Sequence, residues 1–259
     1  MNSFCKTITA VCLVASSGLQ SAAGASATYK WTAEDVTADA CLSVNLARNG
    51  KLPVHINEVA KDEAVVTSLK NTVESKSGTA TTSCEALMEG KEKMKSVFHY
   101  VLESQDEPDY SQLLQTSLDK GLKVFENKEY PQTDSAWQQT WQNTDFANLA
   151  YLLNSNSTKV GCVIGTCTKE QDAASPGITR EKQTEVVATV FLCDLDPAAT
   201  KDKAPFDQEY FTGLIARTAK LTNMTADDLK ASTNDGTAAA AVPTVAIAGL
   251  LAVMTAVSA

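Results

Sequence analysis

Histidine is almost absent: the chain of 259 residues carries His55 and His99 and no other. A zinc or Cys–His catalytic centre needs several convergent ligands or a nucleophile–base pair, so two isolated imidazoles argue against both. No G-x-S-x-G or H-E-x-x-H stretch occurs. The carboxylates are interspersed with lysines, as on solvated helix faces, rather than grouped in pairs for acid–base chemistry. The chain therefore reads as non-catalytic, with no cofactor and no metal. Basic residues are also scarce. Lys and Arg number 22 against 31 Asp and Glu, a formal net charge of −9. Nucleic-acid binding needs clustered cations on phosphates, so it is excluded, and so is direct docking on anionic lipid. No internal repeat of 20–50 residues is present.

Long apolar runs are confined to the two ends. The first, "MNSFCKTITAVCLVASSGLQSAAGASA", has one lysine, a short apolar run and small A-x-A exits. That layout predicts a secretory signal peptide over residues 1–25. At the other end there is no charge after Asp235. The tail is Ala-rich, holds Pro243 and has no basic stop after it, which makes a poor membrane span. Small residues, a spacer and a hydrophobic end instead fit a glycosylphosphatidylinositol (GPI) attachment signal over 237–259. Asn234 is the first choice of attachment residue, with Ser232 and Gly236 beside it. The remainder, about 210 residues, is one ordinary domain, expected over 26–223 with a polar stalk over 224–236.

Five cysteines lie outside the signal: Cys41, Cys84, Cys162, Cys167 and Cys193. A secreted chain makes disulfides from such residues, and an odd number leaves one thiol over. Cys162 and Cys167, five apart in a strand, fall on opposite faces about 16 Å distant at ~3.3 Å per residue. They cannot bond to each other, because a disulfide needs Cα atoms within about 7 Å. Asn156-Ser157-Thr158 and Asn223-Met224-Thr225 are candidate N-glycan sequons.

Periodicity predicts a helix from Thr32 to Asn49, with Trp31 as its staple. A second follows an Asn57 cap, a third runs from Ser83 to Leu102 with His99 on it, and a fourth carries Leu114, Leu118, Leu122 and Phe125. Trp137 and Trp141 would share a helix face, and Thr144 would cap a helix through Leu153. "KVGCVIGTC" and "TEVVATVFLCDL" read as strands joined by a loop over Thr168–Gln183, and "FDQEYFTGLIARTAKL" returns to helix.

Two stretches carry a resemblance. "NLARNGKLPVHINEVAKDEA" resembles the opening of the CAP superfamily (cysteine-rich secretory and pathogenesis-related proteins), where an N-x-x-R helix runs into a Gly-Leu-Pro turn. "NSTKVGCVIGTC…VVATVFLCDLDP" resembles that family's late strand pair. With both ends included, the chain looks like the GPI-anchored surface antigens of Eimeria-type coccidian parasites. The resemblance implies an α+β fold: a three-layer αβα sandwich around a central antiparallel sheet, CAP-like. It also implies a Cys162–Cys193 bridge. Cys41–Cys84 is then expected as the second pair, leaving Cys167 free. The family's cleft holds a metal on two histidines and two glutamates in many members. Here Asn148 occupies the place of one of those histidines, so no metal is expected.

These readings point to a parasite antigen on the outer leaflet of the plasma membrane, acting in host-cell attachment or host immune interaction. Its expected partner is a host-surface component, and its membrane contact is through the GPI lipid alone. The alternative is a CAP-like lipid- or sterol-binding module holding an apolar ligand between helices; the competing reading takes Phe98, Phe125, Trp137 and Trp141 as ordinary core. A hydrolase ranks third. Exposed loops such as Thr168–Gln183 are the expected recognition surface.

Overall fold

The computed structural model describes residues 27–74, 83–85, 92–103, 107–172 and 182–230. It is an α+β fold. Strand β1 (Ala27–Asp35) leads into helix α1 (Ala38–Asn49), a short β2 (Ala60–Lys61) and α2 (Glu63–Val73). After β3 (Phe98–Leu102) come α3 (Tyr110–Gly121), α4 (Asp134–Thr140) and α5 (Thr144–Leu152). The long hairpin strands β4 (Lys159–Asp172) and β5 (Lys182–Asp196) follow, and α6 (Gln208–Ala216) is the last α-helix among the described residues. The sheet order is β1-β4-β5-β3, antiparallel throughout that path, with β2 joining β4 in parallel.

Alternation along the strands sends apolar side chains to both faces of the sheet. Cys162, Phe191, Cys193 and Leu195 meet a large cluster built by α1, α3, α5 and α6. Val163, Cys167, Val190 and Leu192 point the other way, into a smaller cluster with Val66, Leu69 and Val73 of α2. The Val-Gly-Cys run at 160–162 follows from this arrangement. Val160 fills the larger core, and Cys162 bonds Cys193 directly across the hairpin, at a Cα–Cα distance of 4.1 Å. Gly161 lies under the backbone of α2: a Cβ there would stand 2.5 Å from the Val66 nitrogen.

Several expectations are corrected. The chain over Ala27–Asp35 is a strand, not the start of a helix; Trp31 packs under α2 in the smaller cluster, and α1 begins only after Thr37. Asp62, not Asn57, caps α2, accepting from the Ala64 and Val65 amides. Asn143, not Thr144, caps α5. The Ser83–Leu102 helix does not run to its expected end: Cys84 and Glu85 are helical, but no α-helix covers Glu92–Leu102. Glu92–Ser96 is a 3-10 turn and Phe98–Leu102 pairs with β5, which suits its β-branched and aromatic composition. Leu87 of that expected helix lies outside the described residues. Thr168–Asp172 and Lys182–Gln183, read as loop, are paired strand; residues 173–181 lie outside the description.

The second disulfide is also different. Cys84 bonds Cys167 at a Cα–Cα distance of 6.1 Å, and Cys41 is the free thiol. Cys41 lies on α1, against the larger cluster, whereas Cys84 lies in the smaller one, so the sheet stands between them. The proposed stalk starts inside the domain. Met224 is buried, Thr225 and Asp228 form a capping box around a 3-10 turn, and Asp228 pairs with Lys51 at 3.4 Å. The folded unit therefore runs on to Lys230.

Candidate functional site

The N-x-x-R stretch on α1 builds a buried polar hub. Three- and four-residue spacing puts Asn45, Arg48 and Asn49 on one side of the helix. Each asparagine amide pairs with both main-chain groups of one loop residue. Asn45 takes the N–H and C=O of Val59 (both 2.9 Å), and Asn49 those of Ile56 (2.9 and 3.0 Å). The loop after α1 is thus held as if against another strand. Between them Arg48 is fully buried and donates to the carbonyls of Leu152, Asn57, Asn154 and Ser157 at 2.6 to 3.3 Å. Its Nε has no partner. Burial holds the Arg48 pKa down to about 10. Carbonyl dipoles, including one at the C-terminal end of α5, stand in for an anion around this cation.

The carbonyl end of α1 is closed from the other side by residues at and just beyond α6. Tyr210 donates its hydroxyl to the Arg48 carbonyl at 2.6 Å, and complete burial pushes its pKa up to about 12. Arg217 reaches the carbonyls of Leu46, Ala47 and Gly50 at 3.1 to 3.3 Å, and its pKa is lowered by burial. These bonds all end on main-chain carbonyls.

Asn148 behaves in the same way. Its amide accepts from the His99 N–H at 2.9 Å and donates to the His99 carbonyl at 2.8 Å, covering part of the outer edge of β3. An imidazole could not make both contacts, because its ring nitrogens point in divergent directions. His99 is exposed on β3, its Nδ1 3.4 Å from the Val97 carbonyl, and His55 contacts the Leu52 carbonyl at 3.1 Å. Among the described residues no group of three or more His, Cys, Asp or Glu side chains converges to hold a metal. No helix among them is long and apolar enough to cross a membrane.

Phe98, Phe125, Trp137 and Trp141 are ordinary core, as the competing reading expects. Phe125 packs edge-on against Trp137, Phe146 and Phe211, with centroids 5.0 to 6.3 Å apart, and Trp141 against Phe146 at 5.9 Å. Phe98 is buried against Phe191 at 6.2 Å. An apolar groove of about 450 Å³ lies elsewhere, on the α2 side of the sheet. Trp31, Cys84, Met94, Val101, Ala188 and Val190 line it, with Glu85, Lys95 and His99 at its rim. Val101 is 62% exposed. Sequence reasoning misses this groove because helical spacing puts Val101 on an inward face, whereas it lies on β3. Asn156 and Asn223, the sequon asparagines, are both exposed. Ser232, Asn234 and Gly236 lie outside the described residues.

The chain matches the family described as "Sporozoite surface antigen (SAG) protein domain" over residues 5–240, and it belongs to that family. It is a parasite surface antigen of the cell surface, in a family that is generally non-enzymatic. Neither the curated proteins nor the solved structures give a match.

Proposed function

We propose that the protein is a GPI-anchored, non-catalytic antigen acting in host-cell attachment or host immune interaction, on a CAP-like three-layer scaffold. The family match across residues 5–240 carries this reading. The use of Asn45, Arg48, Asn49 and Asn148 as main-chain partners supports a structural rather than a chemical role for the residues that resemble the CAP motifs. Helices on both faces of an antiparallel sheet are what a CAP-like sandwich would present. Residues 1–25 act as the export signal. After Lys230 a short spacer leads to the attachment residue, Asn234 or its neighbours Ser232 and Gly236, and 237–259 is removed. The partner is a host-surface component. Phospholipase treatment of live cells should release the protein, and native material should end between Ser232 and Gly236 by mass spectrometry. Material retaining Val245–Ala259 refutes the anchor.

The apolar groove beside Trp31 and Val101 favours a second reading, a module that holds an apolar ligand such as a sterol. Solvent extraction of the purified native protein followed by lipid analysis tests it, and an empty extract counts against it.

A further inference from the structure

We infer that the protein stands with the β4–β5 hairpin as its membrane-distal end and with both sequons at the membrane-proximal end. The inference rests on the proposed attachment of the chain beyond Lys230. Three sets of contacts fix the proximal pole. Asp228 pairs with Lys51, and Met224 packs against Gly50, so the last described residues lie at the C-terminal end of α1. Arg48, in the last turn of that helix, bonds the carbonyls of Asn154 and Ser157, immediately before β4. Thr158 bonds the Asp196 carbonyl, which brings the end of β5 to the same place. The first residues of β4, the last of β5 and the exit toward the anchor therefore share one pole.

From that pole β4 runs 14 residues, or ~43 Å at ~3.3 Å per residue. Its far half outruns the helices. Beyond Cys167 on β4 and Thr189 on β5, no described residue of either strand is buried. The start of β1 flanks them, with Ala27 opposite Gln171 and Lys30 opposite Thr168. Ala27–Lys30, Thr168–Gln171 and Gln183–Ala188 thus form a three-stranded wing, tied to the smaller cluster through Tyr29 and Ala188. Its charges are balanced, Lys30 and Lys169 against Glu170 and Glu185, on a chain of net charge −9. Asn156 stands just before β4 and Asn223 beside Met224, so glycans at either would project from the opposite pole and leave the wing bare. A protein on an apposed cell meets the wing first.

The test is a height measurement on the full chain displayed on cells. A fluorescent donor is attached at an exposed position of each pole, through Thr184→azidophenylalanine and Asn223→azidophenylalanine, with an acceptor lipid in the outer leaflet. Energy transfer falls steeply with distance, so the Asn223 donor should be strongly quenched and the Thr184 donor weakly. A donor at Gln183 repeats the distal reading if the Thr184 variant fails to reach the surface. Equal quenching at the two poles, or stronger quenching at Thr184, overturns the orientation. Phospholipase decides the anchor separately: label that stays on the cells refutes the lipid, while the two donors still report which pole faces the membrane.

Discussion

Replacing Arg48 tests whether the N-x-x-R motif is a structural hub. The side chain is fully buried and makes four hydrogen bonds to carbonyls from three parts of the chain. In Arg48→Met the volume is roughly kept and the cation removed. Relief of the buried charge favours the variant. The pKa, lowered from 12.5 to about 10, corresponds to roughly 3 kcal/mol at ~1.4 kcal/mol per unit. Against that stand the carbonyls left behind. Asn154 keeps the Ser157 amide as a donor. Leu152, Asn57 and Ser157 each lose a charged partner, at ~1–3 kcal/mol apiece, or about 6 kcal/mol together. The net expectation is a loss of about 3 kcal/mol in denaturant unfolding of the disulfide-intact domain. Arg48→Lys should be no milder, because it keeps the buried charge and cannot span the same carbonyls from a single nitrogen. Hydrogen exchange should rise together over 54–61 and 154–158 in both variants. A lysine variant within about 1 kcal/mol of wild type, with unchanged exchange in those loops, would refute the reasoning.

The remaining expectations are more local. Non-reducing peptide mapping should give Cys84–Cys167 and Cys162–Cys193, with Cys41 alkylated after unfolding; closing loops of 83 and 31 residues, the first bridge should contribute ~1 kcal/mol more than the second on chain entropy. Calorimetric titration with zinc should show no micromolar binding in wild type or Asn148→Ala, while Asn148→Ala should lower stability by ~1–2 kcal/mol through the two lost bonds to His99. Gly161→Ala forces a methyl against the α2 backbone and should lower the unfolding midpoint clearly; an unchanged midpoint would show that α2 can shift outward. Tyr210 has a folded pKa raised from 10.0 to about 12. Its contribution is complete below pH ~10 and lost as pH rises toward ~12, so wild type should lose up to about 2.7 kcal/mol relative to Tyr210→Phe across that window. Parallel curves for the two proteins would sink that assignment.

What could be read from the sequence depended on how far apart the deciding residues lie. The parity of Cys162 and Cys167 is local to one strand, and it correctly put their sulfurs on opposite faces. The helices from Tyr110 and Gln208 were legible because their apolar spacing and Asp caps are contiguous. Trp31 misled, since a tryptophan before Thr and Asp looks like a staple, and only pairing with β4, more than 130 residues away, makes it a strand residue. "SVFHYVL" shows the same conflict between a helical apolar spacing and a β-branched, aromatic composition, decided by β5. The Cys41–Cys84 choice failed for want of the sheet that separates the two residues. The groove was invisible because its walls come from five separated segments.

The hub and position 148 meet two different physical demands. Asn45, Arg48 and Asn49 hold an irregular loop and the approach to β4 against α1. Main-chain groups buried in such a loop must find partners, and a side-chain amide offers the same donor–acceptor pair as a peptide. A cleft histidine is under a different demand, since its value lies in a ligand it holds. At position 148 the chain has a group that serves the edge of β3 instead. Zinc titration of Asn148→His separates the two: restoring the imidazole should cost edge bonds and still yield no micromolar site, because His99 and His55 each lie on a main-chain carbonyl and no group of three ligands converges among the described residues. Micromolar zinc binding by that variant would refute the reading that no ligand set surrounds position 148.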